Sequence, residues 1–353
     1  MKAIVIDRFG PPEVLRTTRL PDPEPGPGEV RVRVGAATVS RTKDVAVRAG
    51  RPPFAEQVRT FPHVLGTEHA GLVDAVGEGV DTALLGARVA VSSALPCGHC
   101  RYCEQGREEA CPEFRLLGIH RPGSYAEFTV VPAANVQVIP DGITLAQAAS
   151  LAVNGVVAAA QLAAAGAGPG TTVLVVGAGG ALGSTVAELA AFRGSRVIAL
   201  GRDPGRLAGL PLTAAIDSGP HDLTGRLRSA AGDDGIDCVI DNLGIPALWD
   251  AYLPALAQAA VVVVSGAITD DPVPLRFRQL YLHSHAIVGV RTGNRTHRDN
   301  LWTEVSAGFR PPDGFVHPTP WDQAADAHTR IEAGGVGGQL VLQFPGATER
   351  PRR

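Results

Sequence analysis

Two clusters of residues in this chain have the types and spacing that chemistry requires. The first is Cys97-Gly-His-Cys100-Arg-Tyr-Cys103 followed by Cys111, so that four of the five cysteines fall within fifteen residues. In a reducing compartment such a cluster holds metal rather than disulfides. Four thiolates at tetrahedral reach complete a Zn²⁺ shell and leave no open position for substrate. The spacing therefore predicts one structural zinc on Cys97, Cys100, Cys103 and Cys111. His99 lies among them as a rival donor, but four thiolates already suffice. The fifth cysteine, Cys238, falls in an apolar run and is expected to be a buried core thiol.

The second cluster is Val173-Leu-Val-Val176-Gly177-Ala-Gly179-Gly180-Ala181-Leu182-Gly183. A buried strand that turns through glycine into a helix presents the helix's first amides to a ligand. Those amides and the helix dipole together hold a pyrophosphate. The glycines stand at 177, 180 and 183, and Gly177-Ala-Gly179 only partly matches the usual Gly-x-Gly-x-x-Gly. Gly177, Gly179, Gly180, Ala181, Leu182 and Gly183 are the expected dinucleotide cradle; the plainer alternative is a tight turn in an ordinary α/β sheet. The next strand should select the cofactor. NAD enzymes place a carboxylate there, about twenty residues past the glycines. Here Val197-Ile-Ala-Leu200 runs into Gly201 and Arg202, with Arg206 four residues on. A small residue leaves room for a 2′-phosphate and a guanidinium grips it, so NADPH is the expected cofactor. Asp203 is the counter-argument, one position past Arg202.

These residues need elements to hold them. Up to about residue 140 the chain alternates short strand patterns with turns: Lys2–Asp7, Val30–Val34, Gly71–Val76, Arg88–Ser92 and Tyr125–Val131. From about 144 helical patterns alternate with apolar strands at Thr172–Val176, Arg196–Leu200, Ile236–Asp241, Ala260–Ser265 and Ala286–Val290. That alternation predicts a doubly wound parallel sheet covered on both faces. A last strand, Gln339–Phe344, follows a helix beginning near Trp321, and the tail from Pro345 is expected to fray. The Ala-rich stretch from Ala148 to Gly168 carries Asn154 and Gln161 and suits one buried helix better than a membrane span. The apolar run at the N-terminus ends at Asp7, too short for a signal peptide, so a cytoplasmic protein is expected. A net charge of −3 with 19% charged residues gives no basic surplus for nucleic acid. At 353 residues and 45% hydrophobic, the chain can build two cores.

In this order the pieces resemble the medium-chain alcohol dehydrogenase and quinone reductase superfamily. Further landmarks are Pro27-Gly-Glu-Val30, Leu65-Gly-Thr-Glu68, Ala70-Gly-Leu-Val73, Val76-Gly-Glu-Gly-Val80 and Gly123-Ser-Tyr-Ala-Glu127. The resemblance implies an α/β protein: a GroES-like domain at 1–145 and 292–353, with the zinc lobe at 93–115, around a Rossmann domain at 146–291. It also implies a small-molecule substrate and a homodimer joined near Ala286–Val290. Members with a catalytic zinc have Cys-His-Thr-Asp where this chain has Arg41-Thr42-Lys43-Asp44, and Gly-His-Glu where it has Gly66-Thr67-Glu68. Their third ligand falls at Val153-Asn154, so no matching position supplies a usual ligand. Asp44 and Glu68 remain, a poor zinc site by themselves. Without that Lewis acid a conjugated enone or quinone is the easier hydride acceptor, because its charge spreads into an enolate. The catalytic candidates are then Arg41 and Lys43 as cationic donors, Thr67 at a vacated ligand position, and His120 as proton donor. A solvated charged loop, a space-filling threonine and a turn histidine are the plainer readings of these residues. Metal-free carbonyl reduction and a non-catalytic dinucleotide-binding protein are the alternative functions.

Overall fold

The chain divides into two units, Met1–Val153 with the segment from Val316, and Asn154–Phe315. The computed structural model describes residues 1–219, 221–334 and 336–346. The fraying expected from Pro345 falls, from Ala347 onward, outside the described residues.

The first unit is built on alternating strands that bury one face each. Its main sheet runs in the order Val136–Val138, Arg88–Val91, His69–Val76, Glu29–Thr38, Gln339–Gln343 and Val316–Pro320, with Phe128–Pro132 also paired to Glu29–Thr38. Glu29–Thr38 lies at the centre because its odd-even pattern carries Val30, Val32 and Val34 inward, all but inaccessible to solvent. A second, three-stranded sheet sets Lys2–Ile6 between Arg16–Arg19 and His63–Val64. The two-stranded pair Ala94–Leu95 with Arg115–Leu116 closes the base of the cysteine lobe.

In the second unit six strands form one wholly parallel sheet. The order is Ala214–Asp217, Arg196–Gly201, Thr172–Val176, Ile236–Asp241, Leu256–Val264 and Ala286–Gly289. In chain order this is 3-2-1-4-5-6, the doubly wound arrangement, whose direction of winding reverses between Thr172–Val176 and Ile236–Asp241. The strands read as continuous apolar runs because helices cover both faces; Thr172–Val176 is buried throughout. Ala214–Asp217 and Val316–Pro320 have no counterpart in the sequence reading.

Two expectations differ from the structure. The Ala-rich stretch is two helices, Leu145–Leu151 and Asn154–Ala165, rather than one. The break falls where the chain passes from one unit to the other. Among the described residues no single helix is long and apolar enough to cross a membrane. The second unit also continues past 291 to Phe315, because the helix Arg295–Ser306 packs on Asn154–Ala165 and the Arg193 guanidinium pairs with Glu304 at 2.7 Å.

Candidate active site

The cysteine lobe brings its four thiols within 4.8 Å of one another. Cys100 and Cys103 Sγ atoms are 3.5 Å apart and those of Cys97 and Cys103 4.0 Å, too far for disulfides. Tetrahedral zinc with bonds near 2.3 Å puts its sulfurs about 3.8 Å apart, so the donor set fits the metal. The Cys103 amide draws the Cys100 thiol down to about 7, and the His99 amide lowers Cys97. Burial pushes Cys103 up to about 12, a penalty that a coordinated dication offsets. His99 also forms a second grouping with Cys97 and Glu113, in which His99 and Glu113 are exposed.

The glycine turn follows Thr172–Val176 and leads into the helix Ala181–Phe192. Gly177 takes φ +82°, a conformation few side chains adopt, and a Cβ at Gly183 would overlap the Gly177 carbonyl oxygen. That close approach sets the helix N-terminus against the strand end. Gly180 stands at the N-cap and contributes no side-chain cap, which leaves the first amides to a ligand. Gly179 and Gly180 have no atom closer than ordinary contact where a Cβ would stand. Gly177, Gly179, Gly180, Ala181, Leu182 and Gly183 together make this turn and the first residues of the helix. Beside it, Gly201 ends its strand, Arg202 is exposed, and Arg206 Cβ lies 3.7 Å from the Gly179 Cβ position. Asp203 is already engaged: its carboxylate accepts the Gly205 amide at 2.9 Å and pairs with Arg206 at 3.4 Å.

The catalytic candidates separate in space. Arg41 and Lys43 share one turn, Arg41–Val45, but act in different directions. The Arg41 guanidinium donates to the Ile331 carbonyl at the end of the helix Ala324–Glu332, where a cation suits the dipole. The Lys43 ammonium instead donates to Glu68 Oε1 at 3.1 Å, its side chain 17% exposed against 2% for Glu68. Glu68 Oε2 accepts from Thr38 Oγ1 at 3.0 Å and Gln339 Nε2 at 3.3 Å. Asp44 is fully buried, accepts the Ser40 and Gly66 amides, and is pushed up to about 7 by burial. Thr67 is inaccessible and its hydroxyl has no partner among the described residues. His120 Nδ1 accepts the Leu116 amide at 2.9 Å, which fixes the turn that carries it. That turn lies against Gly66: a Cβ at Gly118 would meet the Gly66 backbone.

The donors Thr38 and Gln339 on Glu68, and the buried His69 and His328, stand outside every motif of the sequence. None has a spacing signal. Thr38 and Gln339 meet at Glu68 because their strands are neighbours in one sheet.

The family model of the alcohol dehydrogenase GroES-like domain matches residues 26–141, and that of zinc-binding dehydrogenases matches residues 181–307. The chain is 30% identical to the NAD-dependent alcohol dehydrogenase of Sulfolobus acidocaldarius, over 97% of this chain and 99% of that protein. It is 27% identical to an alcohol dehydrogenase of Geobacillus stearothermophilus, over 97% and 99%. A crystal structure of an NAD-dependent alcohol dehydrogenase superposes with TM-score 0.87 at 31% identity, covering 98% of this chain and 100% of the other. The cobalt- and zinc-bound thermostable alcohol dehydrogenase of Pyrobaculum aerophilum gives 0.84 at 30%, covering 98% and 99%.

Proposed function

Because the chain belongs to the medium-chain dehydrogenase/reductase superfamily, and is thereby an NAD(P)H-dependent oxidoreductase, we propose that it reduces an activated C=C bond, in an enone or quinone, without a catalytic zinc. The observation that carries this reading is the Lys43–Glu68 pair. Where zinc-dependent members have ligands, this chain has a guanidinium bonded to a helix end, a buried threonine hydroxyl and the Val153-Asn154 stretch, which offers no thiolate, imidazole or carboxylate. Glu68 and Asp44 are saturated by Lys43, Thr38, Gln339 and backbone amides, so the donor set does not fit a catalytic metal. A zinc held by Cys97, Cys100, Cys103 and Cys111 would give rigidity to its lobe and offer no open coordination position.

The chemistry NADPH would supply when held at the glycine turn is a hydride for the β-carbon of the acceptor. Lys43 is the cation with a role in holding the carbonyl oxygen: its ammonium has three donors, one of which Glu68 occupies. Two remain for the oxygen, which gains charge as the enolate forms. A proton from water then completes the α-carbon; His120, committed to its turn, is not needed. Arg202 and Arg206 beside Gly201 favour NADPH over NADH. The second reading, metal-free reduction of a ketone on the same Lys43, is favoured by relatives that are named alcohol dehydrogenases.

The edge strand Ala286–Gly289 supports a homodimer, since Ile287 and the preceding Phe277, Tyr281 and Leu282 are exposed apolar residues on its margin. A reducing compartment, the cytoplasm, suits five unpaired thiols. The deciding measurement offers a cyclic enone and its saturated ketone with NADPH and identifies the products. Loss of the enone double bond should be the faster reaction; faster formation of alcohol from the saturated ketone would give the second reading its place.

A further inference from the structure

We propose that Gln161, Asn242 and Ser265 form a polar reader for the nicotinamide carboxamide of the cofactor. The inference rests on the dinucleotide reading above and deepens it, since the glycine cradle holds only the phosphates. In the parallel sheet Val176 is in register with Asp241, and Asp241 with Val264. The residues one step further, Gly177, Asn242 and Ser265, therefore share the carboxyl edge. Gly177 and Asn242 flank the place where the winding reverses, which is where open α/β sheets take their ligands. The segments touch there: a Cβ at Gly177 would meet the Leu243 side chain, and one at Gly266 the Asn242 backbone.

Three polar atoms at this edge have no partner among the described residues: Gln161 Oε1, Asn242 Nδ2 and Ser265 Oγ. Gln161 is wholly inaccessible and comes from the helix Asn154–Ala165, where an apolar residue would serve packing alone. Its Nε2 donates to Asn242 Oδ1 at 2.7 Å, so each amide has spent one end and kept the other. What is left is one acceptor and one donor on two hydrogen-bonded amides. Exchanging oxygen and nitrogen in both amides reverses the polarity but still leaves one of each. A carboxamide is the complement of that pair, with an N–H donor and a carbonyl acceptor on one carbon. Buried polar groups are normally satisfied, and three orphans on one edge mark a place that a ligand completes.

Binding alone tests the proposal, by titrating NADPH and NADH against their nicotinamide-free fragments, 2′-phospho-ADP-ribose and ADP-ribose. The 3-acetylpyridine analogue, which replaces the carboxamide nitrogen by methyl, is the third arm. Wild type should prefer the parent cofactor to the analogue by about tenfold, the worth of one well-placed hydrogen bond. Asn242→Ala and Gln161→Leu should erase that preference and leave the fragments bound as before. Ser265→Ala, a smaller change, should reduce it. An equal loss for cofactor and fragment, or an unchanged preference in all three variants, overturns the reader. If wild type binds neither cofactor nor fragment, the dinucleotide reading falls and takes the reader with it; if it binds fragments but not better with nicotinamide, only the reader falls.

Discussion

Lys43 and Glu68 illustrate how one residue pair sets the character of a site. A carboxylate this deeply buried is costly unless paired, and three donors converge on it. Removing Lys43 alone would strand it, so the informative comparison is Lys43→Met with and without Glu68→Gln. Both variants should lose about 10²–10³ in kcat if the ammonium holds the developing enolate. Recovery of kcat in the double variant would show that Lys43 only neutralises Glu68. Arg41→Ala should leave kcat unchanged and cost about 1 kcal/mol of stability, the worth of a cation at a helix end. At the other end of the reaction, Arg202→Ala and Arg206→Ala should each weaken NADPH more than NADH, by about tenfold, measured by fluorescence titration. Equal losses for both cofactors would assign these guanidiniums to the surface.

At the scale of elements, the zinc lobe and the glycine turn are both loops that a few residues hold in shape. Metal analysis after exhaustive dialysis should find about one zinc per chain, as one closed site demands. Two equivalents would restore a catalytic metal. Cys103→Ser should lower that content and loosen the Ala94–Leu116 lobe to protease while the cofactor still binds. Gly183→Ala places a methyl group against the Gly177 carbonyl and must move the helix off its strand. Cofactor affinity and about 1–3 kcal/mol of stability should fall together, read by titration and by urea unfolding.

For the whole molecule, buried ionisable groups govern the response to acid. Burial lowers His69 to about 3; burial, aided by Arg48, does the same to His328. Both stay neutral in the folded chain, while the unfolded chain protonates them below about 6.5. Their contribution is therefore complete above that pH and is lost as pH falls toward 3, at about 1.4 kcal/mol per pH unit each. Asp44, raised to about 7, works in the opposite sense between its ordinary value and 7, because the folded state keeps its proton longer. Two histidines against one carboxyl leave stability falling on acidification from pH 6.5 to 4. His69→Phe should flatten that fall in urea midpoints; an unchanged slope would mean that His69 does not set it. Light scattering should give twice the monomer mass, and the monomer mass would dispose of the edge-strand dimer.

The sequence by itself determined what is local. Four cysteines within fifteen residues, and glycines placed between an apolar strand and a helix, encode their chemistry in spacing, because the atoms that cooperate are held by one short loop. The parallel sheet was legible for the same reason: each strand announces its burial through its own run of apolar residues. The tertiary structure decided everything that joins distant segments. Lys43 and Arg41 are indistinguishable as two cations in one turn, until Glu68, 25 positions away, and Ile331, 290 positions away, choose between them. Gln161 is a polar residue inside an alanine-rich helix; its partner Asn242 is 81 positions on, just past the end of a strand. The extension of the second unit to Phe315 likewise depends on which helix packs on which. Such pairings are set by strand order and helix packing, which no window of sequence contains.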